Sequence, residues 1–337
     1  MLTLPTPDIP PLRGGPTLRW GILAPGEIAN DFVSTLHANT DQRAVAVASR
    51  SAERAEAFAA RHGILRHYAG YEHLVADPDV DVVYVAAPHS ERRALALLAI
   101  SAGKHVLIEK PIALNATEAR EIAAAARAAG VFAMEAMWTR YLPQNSVVSQ
   151  LLADGALGDV ALVTVNLGWQ SAFDPTSRGF DPKLGGGTML DAGVYSLWFS
   201  HFILGAPTSV QAAGILAETG VDAQAVVTLD HGGRNQSMVS TSMVVGTPGL
   251  ATIHGTSASL EFTRNFVFPA DFVVTEGDEV VEWKNEGPEG RDGLAWQAAA
   301  LAHYVQEGGT DSPIHSLDDA IEVMETIDEV RAQLGAK

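Results

Sequence analysis

The first 135 residues alternate short, nearly unbroken apolar runs with alanine-rich runs of helical character, and that alternation restricts the fold more than anything else in the chain. Strands are predicted at 18–24, 44–49, 80–86, 105–109 and 131–135, and helices at 27–38, 52–62, 91–102 and 116–129. A run such as Val-Val-Tyr-Val-Ala-Ala at 82–87 is apolar at every position. A strand of that kind has both faces covered, which is the condition of a parallel strand flanked by helices. Strand–helix repetition with right-handed crossovers then gives a doubly wound α/β sheet. Gly63, Gly103 and Gly130 each close a helical run before the next strand, where a left-handed C-terminal cap belongs.

The rest of the chain follows a different rule. A helix at 145–153 leads to a strand at 160–167, then to an irregular stretch at 168–187 with two prolines and a triple glycine. A helix at 189–204 follows. Strand-like runs then come close together at 209–217, 223–229, 236–244, 250–254, 258–262, 272–276 and 279–284. Short links between strands favour antiparallel pairing. Helices at 294–306 and 317–334 close the chain. The expected organisation is a flexible proline-rich leader at 1–16, a dinucleotide-binding domain at 17–138, and an α+β domain at 139–337 built on a large open, mainly antiparallel sheet.

Composition narrows the function classes. The net charge of −18 argues against broad binding to nucleic acid or to anionic membranes. No cysteine is present, so disulfides, thiolate catalysis and thiolate-bound zinc are excluded. The eleven histidines show no ligand-like cluster, and no metal is expected. No run approaches the roughly 18–20 apolar residues of a membrane span. The leader has prolines at 5, 7, 10, 11 and 16 but no apolar segment of the secretory kind, so a cytoplasmic protein is expected.

The first strand runs into Ala24-Pro25-Gly26-Glu27-Ile28-Ala29, a variant of the G-x-G-x-x-G/A dinucleotide fingerprint. Small residues let the backbone turn sharply and approach a pyrophosphate, which then meets the N–H groups of the next helix. By itself the motif also fits a plain strand–turn–helix junction. The end of the second strand carries Ser49-Arg50-Ser51 with Arg54 one turn on. A carboxylate there would bind ribose hydroxyls and repel a 2′-phosphate, whereas Arg and Ser can hold that phosphate. NADP is therefore expected ahead of NAD. The alternative is that Ser51 caps a helix and Arg54 lies on a solvated face.

Two further constellations carry chemistry. In the segment 105–111 a strand ends on Glu109-Lys110-Pro111. The end of a parallel strand faces the ligand crevice, and an ammonium there can stabilise an alkoxide or lower the pKa of a neighbouring acid. An ordinary Glu109–Lys110 surface ion pair is the competing reading. In the segment 185–195, three glycines precede Asp191 and Tyr195, four residues apart on one helical face. Tyrosine serves as a general acid or base when a nearby cation lowers its pKa. Alternatively, Asp191 solvates the helix start and Tyr195 is core.

Taken together, RWGILAPGEIA at 19–29, AGKHVLIEKP at 102–111, MEAMWTRYLP at 134–143 and GGGTMLDAGVYSL at 185–197 resemble the glucose–fructose oxidoreductase / inositol dehydrogenase / MocA family. MEAMWTR with Tyr195 is most similar to the branch of dimeric dihydrodiol dehydrogenases and NADP-dependent D-xylose 1-dehydrogenases. The resemblance implies a Rossmann domain with Ala24, Pro25, Gly26, Glu27, Ile28, Ser49, Arg50, Ser51, Arg54, Ala87, Pro88, His89, Glu109 and Lys110 around the cofactor. It implies Lys110, Asp191 and Tyr195 as catalytic residues, with Trp138 and Arg140 joining Asp191 and Tyr195 at the substrate. It also implies a homodimer or homotetramer formed through the C-terminal sheet. The activity implied is hydride transfer to or from a hydroxyl-bearing carbon of a sugar, cyclic polyol or trans-dihydrodiol. An NAD-dependent glycoside hydrolase of the same family and a non-catalytic NADP-sensing regulator are the alternatives. The family often has His where Arg92 stands, and no role is assigned to Arg92 at this point.

Overall fold

A computed structural model describes residues 3–337. The chain forms two compact units, one made of Ile9–Tyr141 with Pro288–Ala320 and the other of the residues up to Asp8, Leu142–Gly287 and Ile321–Lys337.

The first unit is a parallel six-stranded sheet wrapped by helices. Its elements in chain order are β1 (Arg19–Leu23), α1 (Glu27–Asn39), β2 (Arg43–Ser49), α2 (Ala52–His62), β3 (Arg66–Ala69), α3 (Tyr71–Val75), β4 (Val82–Val85), α4 (His89–Ser101), β5 (His105–Glu109), α5 (Ala116–Ala129) and β6 (Ala133–Ala136). The strand order β3-β2-β1-β4-β5-β6, with every pair parallel, is that of a dinucleotide-binding Rossmann sheet. The predicted strands and helices of this half are present, and Gly63, Gly103 and Gly130 have φ of 67°, 73° and 65°. The sequence reading missed β3 and α3. β3 lies at an uncovered edge of the sheet, so Arg66-His-Tyr-Ala alternates half-buried and exposed positions and lacks an apolar run.

Aromatic packing fixes where β1 hands over to α1. Trp20 of β1 meets Phe32 of α1 edge-on at 5.1 Å, and Phe32 packs on Tyr84 of β4 at 4.2 Å. The Trp20 indole N–H donates to Gln42 at 2.8 Å, so no buried donor is left over.

The second unit contains α6 (Pro143–Ala153), β7 (Val160–Gly168), α7 (Val194–Leu204) and β8 to β14. These strands run Ser209–Leu216, Asp222–Asp230, Gln236–Ser242, Ala251–Gly255, Ser259–Phe262, Phe272–Glu276 and Glu279–Trp283. The eight-stranded sheet has the order β14-β13-β12-β11-β7-β10-β9-β8, antiparallel except for the β7–β10 pair. One face is sealed by α7, whose Phe199 packs among Phe262 and Phe266. The other carries exposed apolar side chains, among them Ile215, Val226, Met238 and Val280. Alternation along β9, with Ala225 and Val227 buried and Val226 exposed, is the period of two that such a half-covered sheet requires.

Two features depart from the expected organisation. The chain returns to the first unit at Pro288–Ala320, which includes α8 (Ala295–Gln306), before α9 (Leu317–Leu334) carries it into the second. An apolar helix such as α8 says that it must be covered but not by which core. The leader, expected to be flexible, is docked over the described residues 3–16. The Asp8 N–H donates to Ser146 Oγ at 2.8 Å, Gln150 Nε2 donates to the Thr6 carbonyl at 2.9 Å, and the Gly14 N–H donates to Asp41 at 2.7 Å. Five prolines lower the entropy lost on fixing the segment, so a few hydrogen bonds suffice to hold it. Residues 1 and 2 of that leader lie outside the described residues. No helix among the described residues is long and apolar enough to cross a membrane.

Candidate active site

At the carboxyl end of β1, Ala24 adopts φ of 58°, the left-handed turn that the fingerprint's first glycine normally supplies. α1 begins at Gly26, with no side chain capping its first turn. A Cβ placed on Gly26 would meet nothing within 4 Å, so the backbone there is open to a ligand. An uncapped helix N-terminus beside a small-residue turn fits a pyrophosphate, and Pro25, Glu27 and Ile28 belong to the same turn.

At the end of β2, Ser49 is buried, Arg50 is 73% exposed in its side chain, and Arg54 is exposed. The Ser51 hydroxyl accepts the Arg54 N–H at 3.3 Å, so Ser51 does cap α2. Arg50 forms an ion pair with Glu91 at 3.0 Å. Exposed pairs of this kind are weak, so Arg50 can be recruited by an incoming anion.

The segment after β5 is held from three sides within its own unit. Glu109 is buried and accepts the Tyr84 phenol at 2.5 Å, so its carboxylate is no ordinary surface group. The Lys110–Pro111 peptide is cis. Buried Arg92, left without a role above, donates through Nη1 to the Pro111 carbonyl at 2.6 Å and through Nε to the Ala87 carbonyl at 3.0 Å. One guanidinium therefore ties the β4–α4 loop, which carries Ala87, Pro88 and His89, to the loop that carries Lys110. Next in line, the Ile112 N–H donates to Glu135 Oε1 at 2.8 Å, and the other oxygen of Glu135 receives His315 Nε2 at 2.8 Å. Glu135 and His315 are both almost wholly buried. Removing either partner leaves the other buried without this hydrogen bond, at a cost of about 1–3 kcal/mol. The sequence reading missed this pair, whose members stand 180 residues apart with no local signal.

Trp138 and Arg140 lie in a short 3₁₀ turn, Trp138–Tyr141, and both are buried. Burial lowers the Arg140 pKa to about 10, which leaves it charged at neutral pH. Its Nε donates to the Ile314 carbonyl at 3.0 Å, so at least one of its donors serves the protein itself.

In the open-sheet unit, Met189–Gly193 wind as a π-helical turn that runs directly into α7. Turns of this type recur at functional sites. Asp191 and Tyr195 ride on this continuous element, Tyr195 at 5% exposure. Arg178 forms a 2.9 Å ion pair with Asp191 and is a further functional candidate that the sequence reading missed. Its one local signal is that it is the sole arginine in the irregular stretch 168–187. That stretch is pinned by Phe180, which packs with Val221, Ala223 and Met243, while Phe173 meets Phe180 edge-on at 5.1 Å. Trp169 and Phe173 stay exposed.

Comparison with known proteins identifies the family. A family model described as "Oxidoreductase family, NAD-binding Rossmann fold" matches residues 18–137, and the "GFO/IDH/MocA C-terminal domain" matches residues 146–261. A trans-1,2-dihydrobenzene-1,2-diol dehydrogenase of Xenopus tropicalis is 36% identical over 326 residues, covering 94% of this chain and 98% of that protein. Among solved structures, a 3-ketoreductase from Actinomadura kijaniata in complex with NADP and TDP-benzene superposes with a TM-score of 0.81 at 25% identity, covering 94% of this chain and 98% of that one. A levoglucosan dehydrogenase complexed with NADH and levoglucosan shares the fold with a TM-score of 0.86 at 19% identity, covering 95% and 97%. The two family models follow one another along the chain in the order of its Rossmann and open-sheet elements, and the chain belongs to the Gfo/Idh/MocA family of oxidoreductases.

Proposed function

We propose that this protein is an NADP-dependent dehydrogenase acting on a ring carbon that bears a hydroxyl group beside a second hydroxyl, as in a trans-dihydrodiol, a cyclic polyol or a sugar. The reading is carried by two groups, each supported within its own unit: Lys110 at the end of β5, buttressed by Arg92 and Glu135, and the element bearing Asp191 and Tyr195, anchored by Arg178. A bound nicotinamide supplies the hydride acceptor or donor. In oxidation the Tyr195 phenolate takes the proton from the reacting hydroxyl and becomes the phenol, and in reduction the phenol returns it. The Lys110 ammonium favours the phenolate or the alkoxide by charge. Asp191 accepts a hydrogen bond from the neighbouring hydroxyl and so fixes which carbon reacts, with Arg178 holding its orientation. Trp138 and Arg140 border the substrate. The exposed rings of Trp169 and Phe173, together with the dihydrodiol dehydrogenase among its relatives, favour a substrate with an apolar ring face.

The preference for NADP rests on Ser49, Arg50 and Ser51 at the end of β2, where the sequence has no Asp or Glu in the ribose-binding position; the Glu91 carboxylate on Arg50 and the Glu53 carboxylate on the Ser51 hydroxyl would have to yield to a 2′-phosphate. The exposed apolar face of the large sheet supports a homo-oligomer joined through it. The test is a panel of trans-1,2-dihydrobenzene-1,2-diol, D-xylose and inositol, each with NADP and with NAD, read by absorbance of the reduced nicotinamide. Turnover should appear with NADP and fall by about a hundredfold or more in Lys110→Ala and in Tyr195→Phe, with cofactor binding kept. Unaltered turnover in either variant removes that residue from the mechanism. Cofactor binding without turnover on a broad panel refutes the dehydrogenase reading.

A further inference from the structure

The turn that carries Asp191 and Tyr195 is gripped at its beginning by two neighbouring strands. Asp222, the first residue of β9, is wholly buried, and its Oδ2 accepts the Met189 N–H at 2.6 Å. The Thr188 hydroxyl meets the hydroxyl of Thr241, on β10, at 2.9 Å. Gly187 adopts φ of 116°, and a Cβ built there would run into Asp222 Oδ1, so the glycine is what lets the carboxylate reach the turn. Residues 187–189 are thus fixed in sequence by a backbone that only glycine tolerates, a hydroxyl pair and a buried carboxylate. Met189 then opens the π-helical turn, and Asp191 and Tyr195 follow on the same rigid element.

Keeping a carboxylate in this place works against stability. Burial pushes the Asp222 carboxyl up to about 6, against the Met189 amide and the Arg331 charge that favour the ionised form. Arg331, on α9, is the side chain whose charge acts on it there. Groups held at such a cost cluster where placement matters to function.

We infer that Asp222 is a positioning residue, which sets the placement of Asp191 and Tyr195 by holding the Met189 amide at the head of their turn. The inference rests on the catalytic reading of those two residues, and the experiment separates the two claims. Hydrogen–deuterium exchange over 185–193 is measured in the full chain for wild type, Asp222→Ala and Asp222→Asn. kcat, KM and NADP affinity are measured in parallel, with trans-1,2-dihydrobenzene-1,2-diol as substrate. In Asp222→Ala the Met189 amide should exchange about fivefold faster or more, as expected for one lost hydrogen bond. Its kcat should fall by about tenfold to a hundredfold while NADP affinity holds, because a small misplacement of reacting groups is enough for that loss. Asp222→Asn keeps an acceptor for Met189 and should restore both readings. Wild-type exchange and kcat in Asp222→Ala, or an Asp222→Asn chain as impaired as Asp222→Ala, overturns the inference. If Asp222→Ala does not fold, Gly187→Ala provides the same perturbation by pressing a methyl group against Oδ1, and unchanged exchange at Met189 then overturns it. A wild-type chain inactive on the diol, D-xylose and inositol alike sinks the catalytic reading, and the exchange comparison still decides the positioning role.

Discussion

Replacing Asp222 by asparagine should make the protein more stable at about pH 8, and the size of the gain follows from where the carboxyl sits. It is 0% exposed and titrates at about 6 in the fold, against 3.8 for an ordinary aspartate. The folded-state pKa is raised, so the stabilising contribution is fully present below about pH 4 and is lost as pH rises through 6. A displacement of that size corresponds to roughly 3 kcal/mol of ionisation cost at pH 8. Asparagine has the same shape and cannot ionise, and its carbonyl can still accept the Met189 N–H. Asp222 Oδ1 has no hydrogen-bond partner among the described residues, so an amide nitrogen in its place breaks no bond but buries an unpaired donor, an offset of about 1–3 kcal/mol that does not vary with pH. Urea denaturation of both proteins at several values between about pH 5 and pH 8 measures the effect. The stability of Asp222→Asn relative to the wild type should rise by more than 1 kcal/mol from about pH 5 to pH 8, leaving the variant the more stable at the upper end. An advantage independent of pH, or an asparagine variant less stable at pH 8, would refute the argument that burial dominates this carboxyl.

Three other outcomes are expected. Ala24→Gly should raise stability by about 0.5 kcal/mol in thermal or urea unfolding, because relief of a left-handed alanine slightly outweighs the freedom gained by the unfolded chain; a loss of 1 kcal/mol or more would contradict this. Arg50→Ala should weaken NADP binding by about tenfold or more and leave NAD almost untouched in fluorescence titration, since a charge-assisted bond to a phosphate is at stake; equal losses would remove Arg50 from the 2′-phosphate site. Met238→Asp, at a residue 52% exposed on the apolar face of the large sheet, should shift the proposed oligomer toward monomer in light scattering at micromolar concentration, and an unchanged mass would exclude that face as the interface.

The two halves of the chain were legible to different depths. Buried parallel strands such as β4, and the Val106–Ile108 centre of β5, announce themselves by unbroken apolar runs, and helix ends announce themselves through glycine at the left-handed caps. β3 did not, because its edge position is uncovered, with half-buried and exposed residues alternating, whereas β6 at the opposite edge is buried throughout and was legible. The docking of the leader and the return of α8 to the first unit were invisible for a related reason. An apolar face specifies that it must be covered, not by what.

At the site, local spacing named Lys110 after β5, Asp191 and Tyr195 on one turn, and the small-residue junction at Ala24 and Gly26, because each depends on residues a few positions apart. What supports them was decided by tertiary structure alone. Arg92 reaches the Pro111 carbonyl across 19 positions, Glu135 pairs with His315 across 180, and Asp222 reaches Met189 across 33. A sequence records periodicity, turn chemistry and short-range motifs, since these arise from steric and hydrogen-bonding limits on neighbouring residues. Which distant polar group satisfies a buried one depends on the sheet order and on the path of the folded backbone, and no pattern in the sequence marks that partner in advance.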